Sequence, residues 1–222
     1  MSTTTRSRLL AAHLYFITPD AAPDRIADLA AAAVRGGADV IQLRYKSLAR
    51  GQLLTLARRV REITARAGVL FIVNDHVDIA LLSDADGVHL GPDDLSIASA
   101  HRLAGEARQV GGDRLLIGAS ASSPEAARAA IADGADYLGS GPAFATPIKK
   151  NKQVIGPKGV AAIAGAVGPK VPVFAIGGVN ASNVGQLTAD GLRRACVIRA
   201  IAEAPDPELA ARRLRTMLVE SQ

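Results

Sequence analysis

Gly36-Gly-Ala-Asp-Val-Ile-Gln-Leu-Arg-Tyr-Lys46 contains the unit from which the whole chain is built. The paired glycines end a preceding helix. Val40 and Ile41 begin an apolar strand, and the strand finishes in charge. Gln42, Arg44 and Lys46 are spaced by two, so a strand turns all three to one side. Arg and Lys are almost never fully buried unless paired. That side must therefore open to water or to an anionic ligand where the strand ends. An edge strand with a solvated face would meet the spacing alone. The apolar, glycine-rich flank argues instead for an interior strand that delivers polar groups to a site.

Outward from this segment the pattern repeats. Short apolar runs predict strands over Leu14–Thr18, Val40–Arg44, Leu70–Asn74, Gly87–Leu90, Leu115–Ser120, Tyr137–Gly141, Val173–Gly177 and Ala195–Arg199. Between them, Asp24–Val34, Gly51–Arg66, Ser123–Ala132 and Pro207–Leu218 carry helical periodicity. Strands that alternate with helices imply parallel βαβ units buried on both faces. Gly37-Ala-Asp39 is echoed at Gly134-Ala-Asp136 and, more loosely, at Asp84-Ala-Asp-Gly87. Eight such units in 222 residues predict one (β/α)8 TIM barrel spanning residues 1–222, with 1–12 a loosely ordered extension. The polar connection from Ala143 to Gly156, with Lys149, Lys150 and Lys152, is too long for a plain turn and marks a functional loop.

Composition narrows the class. No apolar run reaches the roughly 20 residues of a membrane span. The net charge is +5, spread mostly as Arg on helix faces, and aromatic residues are 3% of the chain. That distribution speaks against nucleic acid and suits a phosphorylated small-molecule partner. The lone cysteine, Cys196, lies in an apolar strand and reads as core filler. The expected location is the cytoplasm, and a homo-oligomer is compatible with the reading.

In a barrel the site lies at the carboxyl ends of the strands. There the second strand delivers Gln42, Arg44 and Lys46, the third Asn74-Asp75, and the fourth His89 followed by Asp93-Asp94. Ser120 ends the fifth, Gly139-Ser-Gly-Pro142 leads to Thr146 and Lys149, and the last two strands end in Gly177-Gly178 and Ile198-Arg199. Asp75 and Asp94 come from neighbouring strands about 5 Å apart and could share a cation. With oxygen ligands and no His/Cys cluster, that cation is Mg²⁺. Each aspartate could instead cap a helix, and His89 on an apolar strand reads more readily as a core residue than as a catalyst. Gly177-Gly178 with Arg199 forms one anion site, and Arg44, Lys46 and Lys149 a second.

At these residues the chain resembles the thiamine phosphate synthase family. The likeness is carried by Leu14-Tyr-Phe-Ile-Thr18, Gln42-Leu-Arg-Tyr-Lys46, Val73-Asn-Asp-His-Val-Asp-Ile-Ala80, Ala85-Asp-Gly-Val-His-Leu-Gly-Pro-Asp-Asp94, Gly118-Ala-Ser120, Gly134-Ala-Asp-Tyr137, Gly141-Pro-Ala-Phe-Ala-Thr-Pro-Ile-Lys149 and Ala175-Ile-Gly-Gly178. The resemblance implies a Mg²⁺-requiring transferase of thiamine biosynthesis. It would join 4-amino-5-hydroxymethyl-2-methylpyrimidine diphosphate to a thiazole phosphate, or to its carboxylate, with release of diphosphate. By motif position, Gln42, Arg44, Lys46, Asn74, Ser120, Thr146 and Lys149 would hold the pyrimidine diphosphate. Lys149, Arg44 and Ser120 would be the catalytic members of that set. Gly178, Ile198 and Arg199 would hold the thiazole phosphate, and Asp75 and Asp94 the metal.

The chain departs from the family pattern at four places. Ala145 and Ile148 stand where the loop usually has proline and a second threonine, and Arg199 where a serine is common. Pro92 replaces a usual glutamine, and Leu192-Arg-Arg194 a typical Ala-Asp-Gly. Two rival readings follow. A thiazole tautomerase-like relative would carry a histidine just past the fifth strand, where this chain has Ser122. A non-catalytic barrel that binds thiamine phosphate would show a decayed loop, for which Ile148 is the one sign.

Overall fold

Alternation sorts the strand side chains into two sets. Tyr15, Ile17, Val40, Leu70, Ile72, Leu116, Tyr137, Phe174 and Cys196 share one buried cluster. Their sequence neighbours, among them Phe16, Ile41, Phe71, Val73, Ile117 and Leu138, belong to a second. The first set fills the inside of a closed sheet and the second packs under helices, which is the division a barrel imposes. The computed structural model describes residues 4–107, 114–146 and 153–220. Its strands are β1 Leu14–Ile17, β2 Val40–Leu43, β3 Leu70–Asn74, β4 Gly87–Leu90, β5 Leu116–Ala121, β6 Tyr137–Ser140, β7 Val173–Ile176 and β8 Ala195–Val197. They pair in chain order, and β8 returns parallel to β1 to close the barrel. The predicted (β/α)8 architecture is the one observed.

The recurring Ala-Asp before strands does more than end a helix. Asp39 Oδ2 accepts the backbone N–H groups of His13 (2.8 Å) and Leu14 (2.9 Å). Asp86 Oδ2 accepts that of Phe71 at 2.8 Å, and Asp136 Oδ2 that of Ile117 at 2.9 Å. Each carboxylate, placed just before an even-numbered strand, thus holds the entry of the strand before it. The turn itself needs a left-handed residue, supplied by Gly37 (φ 88°) and Gly134 (φ 102°), and by Asp84 (φ 52°) in the looser repeat. Arginines pair with all three carboxylates: Arg215 on Asp39, Arg8 and Arg61 on Asp86, and Arg6 and Arg114 on Asp136.

Two of those arginines correct an expectation. Residues 1–12 read as a loose extension, but Thr5–Ala11 forms α1, with the Thr4 hydroxyl accepting the Ser7 N–H at 3.2 Å. Residues 1–3 lie outside the described residues. Leu9 is fully buried and joins the inner cluster with Ala12. Arg6 and Arg8 reach Asp136 and Asp86. The helix is ordered because it covers the amino-terminal mouth of the barrel with Leu9 and neutralises two buried carboxylates at once. No helix among the described residues is long and apolar enough to cross a membrane.

Removing one of these carboxylates strands its partners. Asp86→Ala loses the bond to Phe71 N–H and leaves Arg8 and Arg61 unpaired. It is expected to cost about 2–4 kcal/mol in a urea unfolding titration. Asp78→Ala, which breaks the exposed Arg50–Asp78 pair, should leave the urea midpoint nearly unchanged.

Candidate active site

Beyond the apolar layers, the inward residues turn polar at the carboxyl ends of the strands. Gln42 pairs in register with Ile17 and Ile72, and Asn74 with His89. The cavity above them holds about 450 Å³, and Gln42, Arg44, Asn74, Ser120, Thr146, Gly178, Ile198 and Arg199 all line it. Elements from β2 round to β8 therefore present their predicted residues to one space. Lys149 and Ile148 lie outside the described residues. Lys46, Asp75 and Asp94 sit beside the cavity and do not line it.

Asp75 adopts a left-handed backbone (φ 63°), uncommon for a residue with a Cβ. Its N–H donates to His89 O at 2.9 Å, which ties the end of β3 to that of β4. Burial first, then the hydrogen bond and charge of Asp94, push the Asp75 carboxyl up to about 6, while Lys46 and Arg44 pull it down. Asp94 is held by its own turn, where Oδ2 accepts Gly91 N–H at 2.7 Å. Neither aspartate caps a helix. His76 precedes α4 (Val77–Leu82), and Ser96 accepts Ser99 N–H at the start of α5 (Ile97–Ala107). Two carboxyl groups pressed together beside a cavity form a site that a divalent cation would relieve. Their hard oxygen donors suit Mg²⁺, which keeps part of its shell for water and substrate phosphates. No group of three or more His, Cys, Asp or Glu side chains converges among the described residues.

Asp20 is a residue that sequence reading missed. Its Oδ2 accepts Arg44 Nη1 at 3.4 Å and its Oδ1 accepts Lys46 N–H at 3.2 Å. It steers the charged end of β2 over the mouth. The only signal was a carboxylate just past β1, a position shared with ordinary loop residues.

Beneath the cavity lies an aromatic layer, of which Tyr15 reaches the lining. Tyr137 packs edge-on against Phe174 (6.0 Å, 85°), as does Tyr15 (5.3 Å, 84°). The His89 ring lies 5.6 Å from that of Tyr137, and its Nε2 is 3.1 Å from Ser120 Oγ. His89 thus lines the cavity and touches a predicted site residue, contrary to the core reading. Gln42 Nε2 donates to Tyr15 Oη at 2.8 Å, and Tyr15 Oη lies 3.0 Å from Tyr137 Oη. Cys196 also lines the cavity, and burial pushes its thiol pKa up, which disfavours the thiolate.

At the far side, Gly177 (φ 98°) and Gly178 (φ 68°) carry the chain out of β7. A Cβ on Gly178 would stand 2.5 Å from Ala145 O. Close approach lets Ala143 N–H reach Ile176 O (2.8 Å) and Phe144 N–H reach Gly177 O (2.9 Å). The base of the long loop is thereby clamped against the glycines. Asn180 and Asn183 side-chain amides both donate to Gly178 O, at 3.2 and 2.9 Å. Arg199 opens α9 (Arg199–Ala202) and pairs loosely with Glu203 at 3.8 Å, which leaves its cation available to an anion.

Residues 14–201 match the thiamine monophosphate synthase family. The thiamine-phosphate synthase of Thermobifida fusca is 44% identical over 222 residues, 99% of this chain and 98% of its own. That of Gloeobacter violaceus is 44% identical over 202 residues, 91% of this chain, and the match spans 56% of the longer relative. Among solved structures, thiamine phosphate pyrophosphorylase from Pyrococcus furiosus superposes with a TM-score of 0.84 at 36% identity, covering 97% of this chain and 98% of that one. A 3-hexulose-6-phosphate synthase, at 19% identity and a TM-score of 0.69, shares the fold alone.

The aromatic floor depends on a hollow left by a glycine. A Cβ on Gly118 would lie 2.1 Å from Tyr137 Cζ. Gly118→Ala is expected to displace the ring and destabilise the protein by about 1–3 kcal/mol, measured by urea unfolding. Full stability in that variant would show that the ring has room to move.

Proposed function

The chain belongs to the thiamine monophosphate synthase family and is a transferase. From that premise we propose that it joins 4-amino-5-hydroxymethyl-2-methylpyrimidine diphosphate to thiazole phosphate or its carboxylate, giving thiamine phosphate and diphosphate, with carbon dioxide as a further product from the carboxylate. The supporting observation is the single cavity that Gln42, Arg44 and Asn74 line together with Gly178, Ile198 and Arg199. A joining reaction needs its two partners in one space.

The chemistry follows from the residues available. The bond from the pyrimidine methylene carbon to the diphosphate oxygen breaks, and its electron pair leaves on the diphosphate. The thiazole nitrogen then donates its lone pair to that carbon. The pyrimidine amino group feeds electrons into the ring while the carbon is cationic. With thiazole phosphate no proton needs to move; with its carboxylate the ring-to-carboxylate bond also breaks, releasing carbon dioxide, and the ring carbon left behind takes a proton from water. Neither route forms a covalent enzyme intermediate, so a site without an activated nucleophile suffices. Arg44, Lys46 and Lys149 would stabilise the departing diphosphate, at roughly 1.5–3 kcal/mol for each charge-assisted hydrogen bond. Asp75 and Asp94 would hold Mg²⁺, which when bound neutralises phosphate charge. Ser120 and Thr146 supply hydroxyls to the pyrimidine diphosphate, and Asn74 an amide. Gly178, Ile198 and Arg199 receive the thiazole phosphate. The reading places the enzyme in the cytoplasm with phosphorylated small molecules as partners.

The deciding assay incubates the protein with both substrates and Mg²⁺ and measures thiamine phosphate and diphosphate, expected in equal amounts. Binding of thiamine phosphate with no diphosphate released would instead identify a sensor. Lys149→Ala is expected to lower kcat by about 10²–10³-fold with an unchanged circular dichroism spectrum. In Asp94→Ala the Mg²⁺ concentration for half-maximal rate should rise, and an unaltered Mg²⁺ titration would remove Asp94 from the metal site.

A further inference from the structure

We propose that the amino-terminal mouth of the barrel carries a second ligand site, in the gap between the entries of β7 and β8. There Arg193, Arg194 and the Val173 N–H bind a small oxyanion of the phosphate type. The site is separate from the cavity, which neither arginine lines. The inference does not depend on the reaction proposed above.

The repetition of the barrel points to this gap. The strand registers set Tyr15 opposite Val40, Ile72 opposite Gly87 and Gly118 opposite Tyr137. One step earlier, Asp39 stands opposite Leu14, Asp86 opposite Phe71 and Asp136 opposite Ile117. Each carboxylate accepts the N–H across from it. Between β7 and β8, Ala175 stands opposite Ala195. Counting back two steps gives the fourth equivalent pair, Val173 and Arg193. Side-chain direction agrees, since Leu14, Phe71, Ile117 and Val173 all belong to the outer cluster. Three gaps thus hold a carboxylate paired with arginine, and the fourth holds an arginine in the carboxylate's place. Among the described residues no side chain accepts the Val173 N–H.

The charge of this gap is not balanced either. Arg193 and Arg194 are half-buried, and among the described residues neither makes an ion pair. Arg193 Nη1 and Arg194 Nε are shut off from solvent with no acceptor. Arg194 is anchored at one end, where its Nη2 donates to Leu10 O of α1 at 2.7 Å. Burial pulls its guanidinium pKa down from the usual value. Arg8 also has a buried Nε without an acceptor, but Asp86 balances its charge. Asp190, the acidic residue nearest in sequence, pairs with neither arginine. Asp39, which holds the entry of β1, is taken by Arg215. Buried N–H groups without acceptors are costly. A bound oxyanion supplies what aspartate supplies in the other three gaps. It offers an oxygen to the strand N–H and negative charge to guanidinium groups, whose planar forks match phosphate oxygens.

The test titrates the full chain with inorganic phosphate at constant ionic strength, beside Arg193→Asp, which returns a carboxylate to the place opposite Val173. The cavity also attracts phosphate, but it is the same in both proteins. Above the Kd, each tenfold rise in phosphate is expected to raise the folding equilibrium constant of the wild type about tenfold more than that of the variant, read from urea unfolding. Calorimetry should find one phosphate site fewer in the variant, and its turnover should be unchanged. If Arg193→Asp does not fold, Arg193→Gln keeps most of the length, loses the charge and should lose the same phosphate-dependent gain. An equal phosphate response in the wild type and a folded variant overturns the proposal. So does chloride that reproduces the whole effect at matched ionic strength, because the cause would then be charge screening. A phosphate response lost together with turnover would put the anion in the cavity and overturns it as well.

Discussion

A closed parallel sheet offers each strand residue only two directions, and everything else in this protein depends on that constraint. A residue facing in meets the other seven strands, and one facing out meets a helix. Apolar residues can occupy either position. A polar residue facing in is tolerable only where the barrel ends and water or a ligand replaces the packed layers. Gln42 and Arg44 therefore lie toward the carboxyl mouth, above Val40, which is packed in the inner cluster.

The two mouths solve the charge problem differently. At the amino-terminal mouth, Asp39, Asp86 and Asp136 are each saturated by backbone N–H groups and arginines. Those charges are neutralised within the fold, and α1 supplies Arg6 and Arg8 to two of them. At the carboxyl mouth, Asp75 and Asp94 face one another, and among the described residues the ion-pair partner of Arg199 is Glu203 at 3.8 Å. Charge left incompletely paired beside a cavity is costly to the fold and useful to a ligand. That contrast, more than the presence of charged residues, separates the structural end of the barrel from the chemical end.

Between the two ends lies the aromatic floor. Tyr15, Tyr137 and Phe174 close off the apolar core beneath the cavity, and two of the three carry a hydroxyl upward into the first polar layer. Glycines at 118 and 139 leave the space that Tyr137 and His89 occupy. Of the three rings only Tyr15 lines the cavity; Tyr137 and Phe174 lie fully buried beneath it.

Much of this was legible before any coordinates. Strand-helix alternation named the barrel, because a period of two and a period of 3.6 leave different marks on apolar residues. The spacing of Gln42, Arg44 and Lys46 pointed two of the three into the mouth, because register along one strand is a local property. What the chain alone could not tell was which residues meet across strands. Its amino-terminal segment read as loose, since the carboxylates that order α1 lie about 80 and 130 residues away in sequence. His89 read as core and Asp20 went unnoticed, because their partners, Ser120 and the end of β2, are brought near only by closure of the sheet. The sequence by itself determined the architecture and the chemical groups offered at each strand end, since these follow from short-range periodicity. Which carboxylates meet arginines and strand N–H groups, as Asp39, Asp86 and Asp136 do, and which meet another carboxylate, as Asp75 meets Asp94, was settled only on folding, since contacts between strands distant in sequence make that choice.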